Sequence, residues 1–161
     1  MHAIDSPRFL KARAADADAL AQASKAAFDG DVRYGAPGPG GPPGYDSAGW
    51  QKRMMQQADY YKIVLEGLIV GGIIVFRKQV REYELGRIFI VPAYQNLGIG
   101  TQAFDFLWET YPLAKRWTLG TPAWNQRTRH FYKKVGFREI GRDSYGGILF
   151  EQYRSSSPTG I

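Results

Sequence analysis

Cysteine is absent from the 161 residues, and histidine occurs only at positions 2 and 130. The first absence excludes disulfides, thiolate metal sites and cysteine nucleophiles together. The second leaves too little imidazole for a histidine-based metal centre, so no metal is expected. Long apolar runs are missing as well. The longest, residues 68–76, falls far short of the roughly 20 residues that a membrane span requires, so no membrane partner is expected. The opening MHAIDSPRF lacks a basic segment followed by an apolar stretch, which sets the expectation of a cytoplasmic address. Net charge is +6, yet lysine and arginine are scattered and no dense basic run marks a nucleic-acid footprint. A phosphorylated small molecule satisfies the same charge.

A chain of this length supports one hydrophobic core and one site. Residues 1–154 are read as a single domain and SSSPTGI, residues 155–161, as a flexible polar tail. Residues 9–14 read as a first strand, and the alanine-rich 16–28 as a helix with Leu20, Ser24, Ala27 and Phe28 near helical spacing. The Gly/Pro-dense residues 30–47 form no regular element, and an ordered loop of that length points to function. A second helix over 48–58 sets Trp50, Met54 and Met55 on one side. Two β-rich runs in 59–78 are joined by a hairpin turn at Glu66-Gly67, and a strand over 82–91 stops at Pro92. Residues 100–111 are amphipathic, with Phe104, Leu107, Trp108 and Tyr111 at i, i+3, i+4 and i+7. A strand over 116–121, a helix over 125–135 ended by Gly136, and two final strands complete the order β-α-α-β-β-β-α-β-α-β-β.

The most informative stretch is VPAYQNLGIGTQAF, residues 91–104, where a glycine turn joins a strand to a helix. Backbone N–H groups at such a helix start suit an anion, above all phosphate. A Walker A loop is rejected, because Thr101-Gln102 stands where Lys-Ser or Lys-Thr is needed. Residues 98–103 match G-x-G-x-x-A, but a dinucleotide fold needs an acidic residue about 20 positions on, and 117–121 read WTLGT.

Gln95-Asn96-Leu97-Gly98-Ile99-Gly100 resembles the Q/R-x-x-G-x-G/A motif of the GNAT superfamily of N-acetyltransferases, and it follows a strand ending in IFIVP as that motif does. TPAWNQRTRHFYKKVGF, residues 121–137, resembles the superfamily's second conserved segment. The resemblance covers residues 82–137 by motif and the whole chain by element order. It implies an α/β GNAT fold: a mostly antiparallel, seven-stranded mixed sheet with helices on both faces and a splayed central strand pair. It also implies acetyl-CoA as acyl donor and an amine acceptor, with acetyl passing directly from thioester to amine. Dimers are common in that superfamily, so a homodimer stays open.

Roles follow residue by residue. Gln95, Asn96, Leu97, Gly98, Ile99, Gly100 and Thr101 would hold the pyrophosphate of acetyl-CoA, the Thr101 hydroxyl being compatible with both a cap and a phosphate contact. The Ile90 amide would meet the acyl carbonyl, near a bulge that Gly86 marks in its strand. Asn125 is either a helix N-cap or a contact to the pantetheine arm. Tyr132 corresponds to the tyrosine that protonates the departing thiolate. Glu84 is either a solvated strand residue or the counterpart of a glutamate that in part of the superfamily deprotonates the acceptor, directly or through water; in that role burial by its strand is expected to raise its basicity, while Glu82 is a neighbour of less weight. Tyr34, Tyr45 and Asp46 are the acceptor-site candidates, since aromatics beside a carboxylate suit a cationic amine. His130 receives no role, and Arg127, Arg129 and Lys133 read as solvating their helix, with one of them within reach of a 3′-phosphate. Two other classes remain beside the transferase: a CoA-binding sensor on the same fold without turnover, and, on charge and aromatics alone, a nucleic-acid binder.

Overall fold

The structure, a computed structural model, describes residues 6–155. The tail expected over 155–161 lies, apart from Ser155, outside the described residues. Among the described residues seven strands form one sheet in the order β1-β2-β3-β4-β5-β7-β6. The strands are β1 (Arg8–Lys11), β2 (Asp59–Leu65), β3 (Leu68–Arg77), β4 (Glu82–Ile90), β5 (Arg116–Pro122), β6 (Arg138–Arg142) and β7 (Gly147–Tyr153). The helices are α1 (Ala17–Asp29), α2 (Ala48–Gln57), α3 (Ile99–Thr110) and α4 (Gln126–Val135). The element order read from the sequence holds, with short differences at the ends. β1 stops at Lys11, and residues 14–16 and 30–34 turn into 3-10 helix.

Each sheet face carries its own core. Leu20, Ala23 and Ala27 of α1 pack with Tyr60, Ile74 and Phe89, and Trp50, Met54 and Met55 of α2 lie against the same cluster. Alanines at that interface let α1 sit close to β3 and β4. On the other face Phe104 and Leu107 of α3, its C-cap Tyr111, and Tyr132 of α4 pack with Trp117, Leu119 and Phe150. The helical spacing read over 100–111 is therefore the spacing that is buried.

Every neighbouring pair is antiparallel except β4 and β5, whose parallel pairing runs only from Glu82↔Arg116 to Leu85↔Leu119. Just beyond that point β4 skips a residue against β3: Ile74 pairs with Arg87 and Val75 with Leu85, so Gly86 is the extra residue of a bulge. A Cβ at Gly86 would lie 2.3 Å from the Phe76 ring, so glycine is what admits this close approach. The bulge resets the alternation of faces. Tyr83 and Leu85 before it, and Ile88 and Ile90 after it, all join the α3–α4 core, whereas Phe89 packs beneath α1. After Leu85 and Leu119 the two strands part, and a V opens in the middle of the sheet.

Candidate active site

A cavity of about 920 Å³ fills that V. Its walls are residues 85–90 of β4, residues 120–122 at the end of β5, the start of α3, the inner side of α4, and residues 36–42 of the loop between α1 and α2. The volume is within the range that ligand pockets occupy.

The β4 wall presents backbone. Val91 N–H donates to the Val70 carbonyl at 2.9 Å, which fixes the phase of the β3–β4 ladder. Antiparallel ladders alternate, so Phe89 and Val91 spend their amides on β3 while Ile88 and Ile90 turn theirs toward β5. β5 has already diverged there. The Ile90 carbonyl, on that same side, accepts from Gln95 Nε2 at 2.8 Å, which leaves the Ile88 and Ile90 N–H groups directed at the gap. Ile88 was not singled out in the sequence; only the ladder phase reveals it.

The α3 wall presents more backbone donors. The first intrahelical bond runs from Gln102 N–H to the Gly98 carbonyl at 3.1 Å, so the amides of residues 99–101 have no acceptor within the helix. Together with the helix dipole they form a positive, donor-rich end. Gly98 is the N-cap at φ 83° and ψ 3°, and Asn96 is also left-handed at φ 62°. The reason for Gly98 is conformational: a Cβ there would meet nothing within 4 Å. At Gly100 the reason is spatial, for a Cβ would lie 3.0 Å from Phe131 Cζ of α4. Among the described residues no side chain caps the Gly98 end of α3.

Of the residues expected to hold the donor, Ile90, Gln95, Asn96, Gly98, Gly100, Thr101 and Asn125 line the cavity, whereas Leu97 and Ile99 do not. Leu97 points to solvent and Ile99 into the core, which leaves only their backbone for a ligand. Asn125 caps α4, its Oδ1 accepting from Thr128 N–H at 3.1 Å. The cap commits the oxygen and leaves the amide nitrogen for the cavity.

Tyr132 lies on the cavity wall with its ring edge-on to Phe104, Phe137 and Phe150. Burial pushes its phenol up to about 12; the nearby Arg127 charge works against that shift and the Asp31 charge with it. It is a phenol that keeps its proton at neutral pH.

Glu84 is placed elsewhere, and the burial expected of it is not found. Its side chain is 37% exposed, lies 3.5 Å from Lys78 Nζ, and is not part of the cavity wall. The physical reason is the bulge: Glu84 precedes it, in the segment where β4 is still paired to β5, and the V opens only afterwards. Glu82 is further from the V, 4.0 Å from Arg116.

The long loop does wall the cavity, but through residues 36–42 and not through Tyr34, Tyr45 or Asp46. The Tyr34 ring is covered by the Arg127 guanidinium at 4.3 Å, the Tyr45 hydroxyl donates to Asp29 at 2.8 Å, and Asp46 is exposed. The strap is pinned from below. Arg87 donates to the Pro43 carbonyl while stacking 3.9 Å over Trp50, and the buried Gln51 donates to the Gly44 carbonyl at 3.2 Å. Gln51 in turn accepts from the Tyr60 hydroxyl. Missed in the sequence, and present on the wall, is Asp31 in the 3-10 turn after α1. Burial raises its carboxyl, against the pull of Arg127. Among the described residues no group of histidine, cysteine or carboxylate side chains is placed to hold a metal ion, and no helix is long and apolar enough to cross a membrane.

Comparison with known proteins agrees with this geometry. The chain is 33% identical over 82 residues to the uncharacterized protein YrkN of Bacillus subtilis, an alignment covering 50% of this chain and 44% of that protein. It is 29% identical over 83 residues to the uncharacterized N-acetyltransferase Rv2669 of Mycobacterium tuberculosis, covering 50% of this chain and 53% of that one. The chain thus spans about half the length of the curated relatives it matches. The crystal structure of PaiA N-acetyltransferase from Thermoplasma acidophilum in complex with coenzyme A has the same fold, with a TM-score of 0.78 and 15% identity over 93% of this chain and 100% of that one. The model of the Acetyltransferase (GNAT) family matches residues 34–137, the segment that carries β4, the glycine turn, the V and α4, and the chain belongs to that family.

Proposed function

We propose that this protein transfers an acetyl group from acetyl-CoA to the primary amine of a small molecule or peptide, directly and without a covalent enzyme intermediate. The observation that carries the reading is the convergence of three groups on one cavity: the unpaired Gly100 and Thr101 amides at the start of α3, the β4 amides turned into the V, and the Tyr132 phenol. Each matches one demand of thioester aminolysis.

The amides of residues 99–101, with Gly98 and Asn96 shaping the turn, offer donors to the pyrophosphate. The V between β4 and β5 admits a narrow arm that can bond the free strand edge, and the Asn125 amide nitrogen reaches the same space. When the amine adds to the thioester carbon, negative charge builds on the carbonyl oxygen. Ile90 N–H, joined by Ile88 N–H, stabilises that charge with dipoles already oriented by the β3–β4 ladder. As the carbon–sulfur bond breaks, Tyr132 gives its proton to the sulfur. Glu84 is given no part in this scheme, because it lies outside the cavity and beside Lys78.

An assay of CoA release across a panel of primary amines tests the proposal. A thiol reagent reports CoA without background, since the chain has no cysteine. Amine-dependent release with formation of the acetamide is the expected result. Tight acetyl-CoA binding without transfer to any amine would assign the fold to ligand sensing instead.

A further inference from the structure

Resting on the transferase reading, we infer that Asp31 receives the acceptor's ammonium group and removes its proton, and that the acceptor is a small monoamine whose remainder is uncharged. Asp31 is the only carboxylate among the described residues that wall the cavity; the charged or titratable side chains beside it are Arg87, Arg127, His130 and Lys134, with the Tyr132 phenol. A cationic acceptor entering this space therefore has one acid residue to meet.

Three features make Asp31 suited to that task. Its side chain is only 14% exposed, yet its one cationic partner among the described residues, Arg127 Nη2, stands 3.7 Å from Oδ1, beyond hydrogen-bond distance. Arg127 is itself engaged with the Tyr34 ring, and its Nε is buried without an acceptor. Asp31 is thus a half-satisfied carboxylate, and an ammonium supplies the N–H donors it lacks. Burial raises its carboxyl, which makes it a stronger base than a solvated aspartate. Finally, Tyr132, the group assigned to the leaving sulfur, lines the same cavity, so the two proton-handling groups share one space.

Asp31 takes one proton from the alkylammonium and later gives it to solvent. The neutral amine forms the new carbon–nitrogen bond, the carbon–sulfur bond breaks, and the thiolate takes the Tyr132 proton. The second amine proton, lost as the amide forms, restores the phenol. The products are acetamide, CoA thiol and one proton. The loop segment of the wall explains the limit on the acceptor. Residues 36–42 read APGPGGP, and with Phe28 and Phe89 they give an uncharged surface that offers a polyamine no second carboxylate.

Phenethylamine is the probe. In the wild type, phenethylammonium should bind at least 10-fold tighter than its neutral analogue 2-phenylethanol, measured by calorimetry in the presence of CoA. Equal affinities would overturn the inference without recourse to any variant. Asp31→Asn, checked for folding by circular dichroism, should abolish that preference. It should also lower kcat/KM for phenethylamine by about 100-fold at pH 7, with partial recovery as pH approaches the amine's own pKa, while acetyl-CoA affinity stays unchanged. An unchanged kcat/KM, or a parallel loss of acetyl-CoA affinity, would make Asp31 a structural partner of Arg127 only. A kcat/KM for spermidine above that for phenethylamine would overturn the monoamine assignment. Asp31-dependent amine binding with no CoA release would instead sink the transferase reading while leaving the ammonium site standing.

Discussion

Replacing Tyr132 with phenylalanine removes one oxygen from a side chain that the structure otherwise holds by its ring, and two independent consequences follow. The first is thermodynamic. The phenol is pushed up to about 12 by burial, from an ordinary value near 10. The group is held in its neutral form by folding, so its contribution to stability is intact below pH 10 and is lost as pH rises from 10 toward 12. At pH 11 the unfolded chain has released this proton and the folded chain has not. The difference is about one pH unit of titration, or about 1.4 kcal/mol. Urea unfolding of both proteins at pH 8 and pH 11 isolates the effect, since every other titratable group is common to the two. The wild type should lose about 1.4 kcal/mol more than Tyr132→Phe between the two pH values. The second consequence is kinetic: kcat at pH 7 should fall about 100-fold with acetyl-CoA affinity unchanged, because a general acid is lost and no binding contact is. Parallel stability profiles would show that the phenol is solvated, and an unaltered kcat with chemistry rate-limiting would return Tyr132 to the aromatic core.

Gly98→Ala puts an L residue at φ 83°, which should cost about 1–2 kcal/mol, or roughly 2–8 °C in melting temperature, and weaken acetyl-CoA binding measured by calorimetry at least 10-fold. Glu84→Gln should leave kcat/KM unchanged from pH 6 to 10 for any confirmed acceptor, since the side chain is outside the cavity; a loss that recovers at high pH would reinstate it as the base. Arg87→Ala removes the tie to Pro43 and the stack on Trp50, so limited proteolysis within residues 35–46 should accelerate while acetyl-CoA affinity holds. Glu151 is held below the usual carboxylate range by Arg138 and then Arg116, against the burial that pushes it up. Its contribution is therefore present at neutral pH and lost as pH falls below about 4.5, so Glu151→Gln should flatten the acid limb of the stability profile recorded by urea unfolding.

Periodicity, turn chemistry and motif spacing are local, and what depends on them was legible in the chain itself. The element order, the buried stripe of α3, the end of β4 at Pro92, the Gly86 irregularity and the glycine turn before α3 all follow from residues close together in sequence. The same holds for the exclusion of disulfides and thiolates, which needs only a count. Contacts between distant segments carry no such signal. Glu84 looks like a base because its distance along the chain from Gln95 is right, but the β4–β5 pairing that ends only at Leu85 keeps it out of the V. Asp31 has no motif around it and becomes a site residue because a 3-10 turn brings it to α4, where Arg127 and Tyr132 lie about a hundred positions further on. The loop at 30–47 announces itself by composition, yet which of its residues face the cavity is settled by pins from β4 and α2: Arg87 under Pro43, Gln51 under Gly44. Local sequence determines which backbone shapes are available, and burial against distant neighbours determines which side chains share a solvent-free space, hence which can do chemistry together.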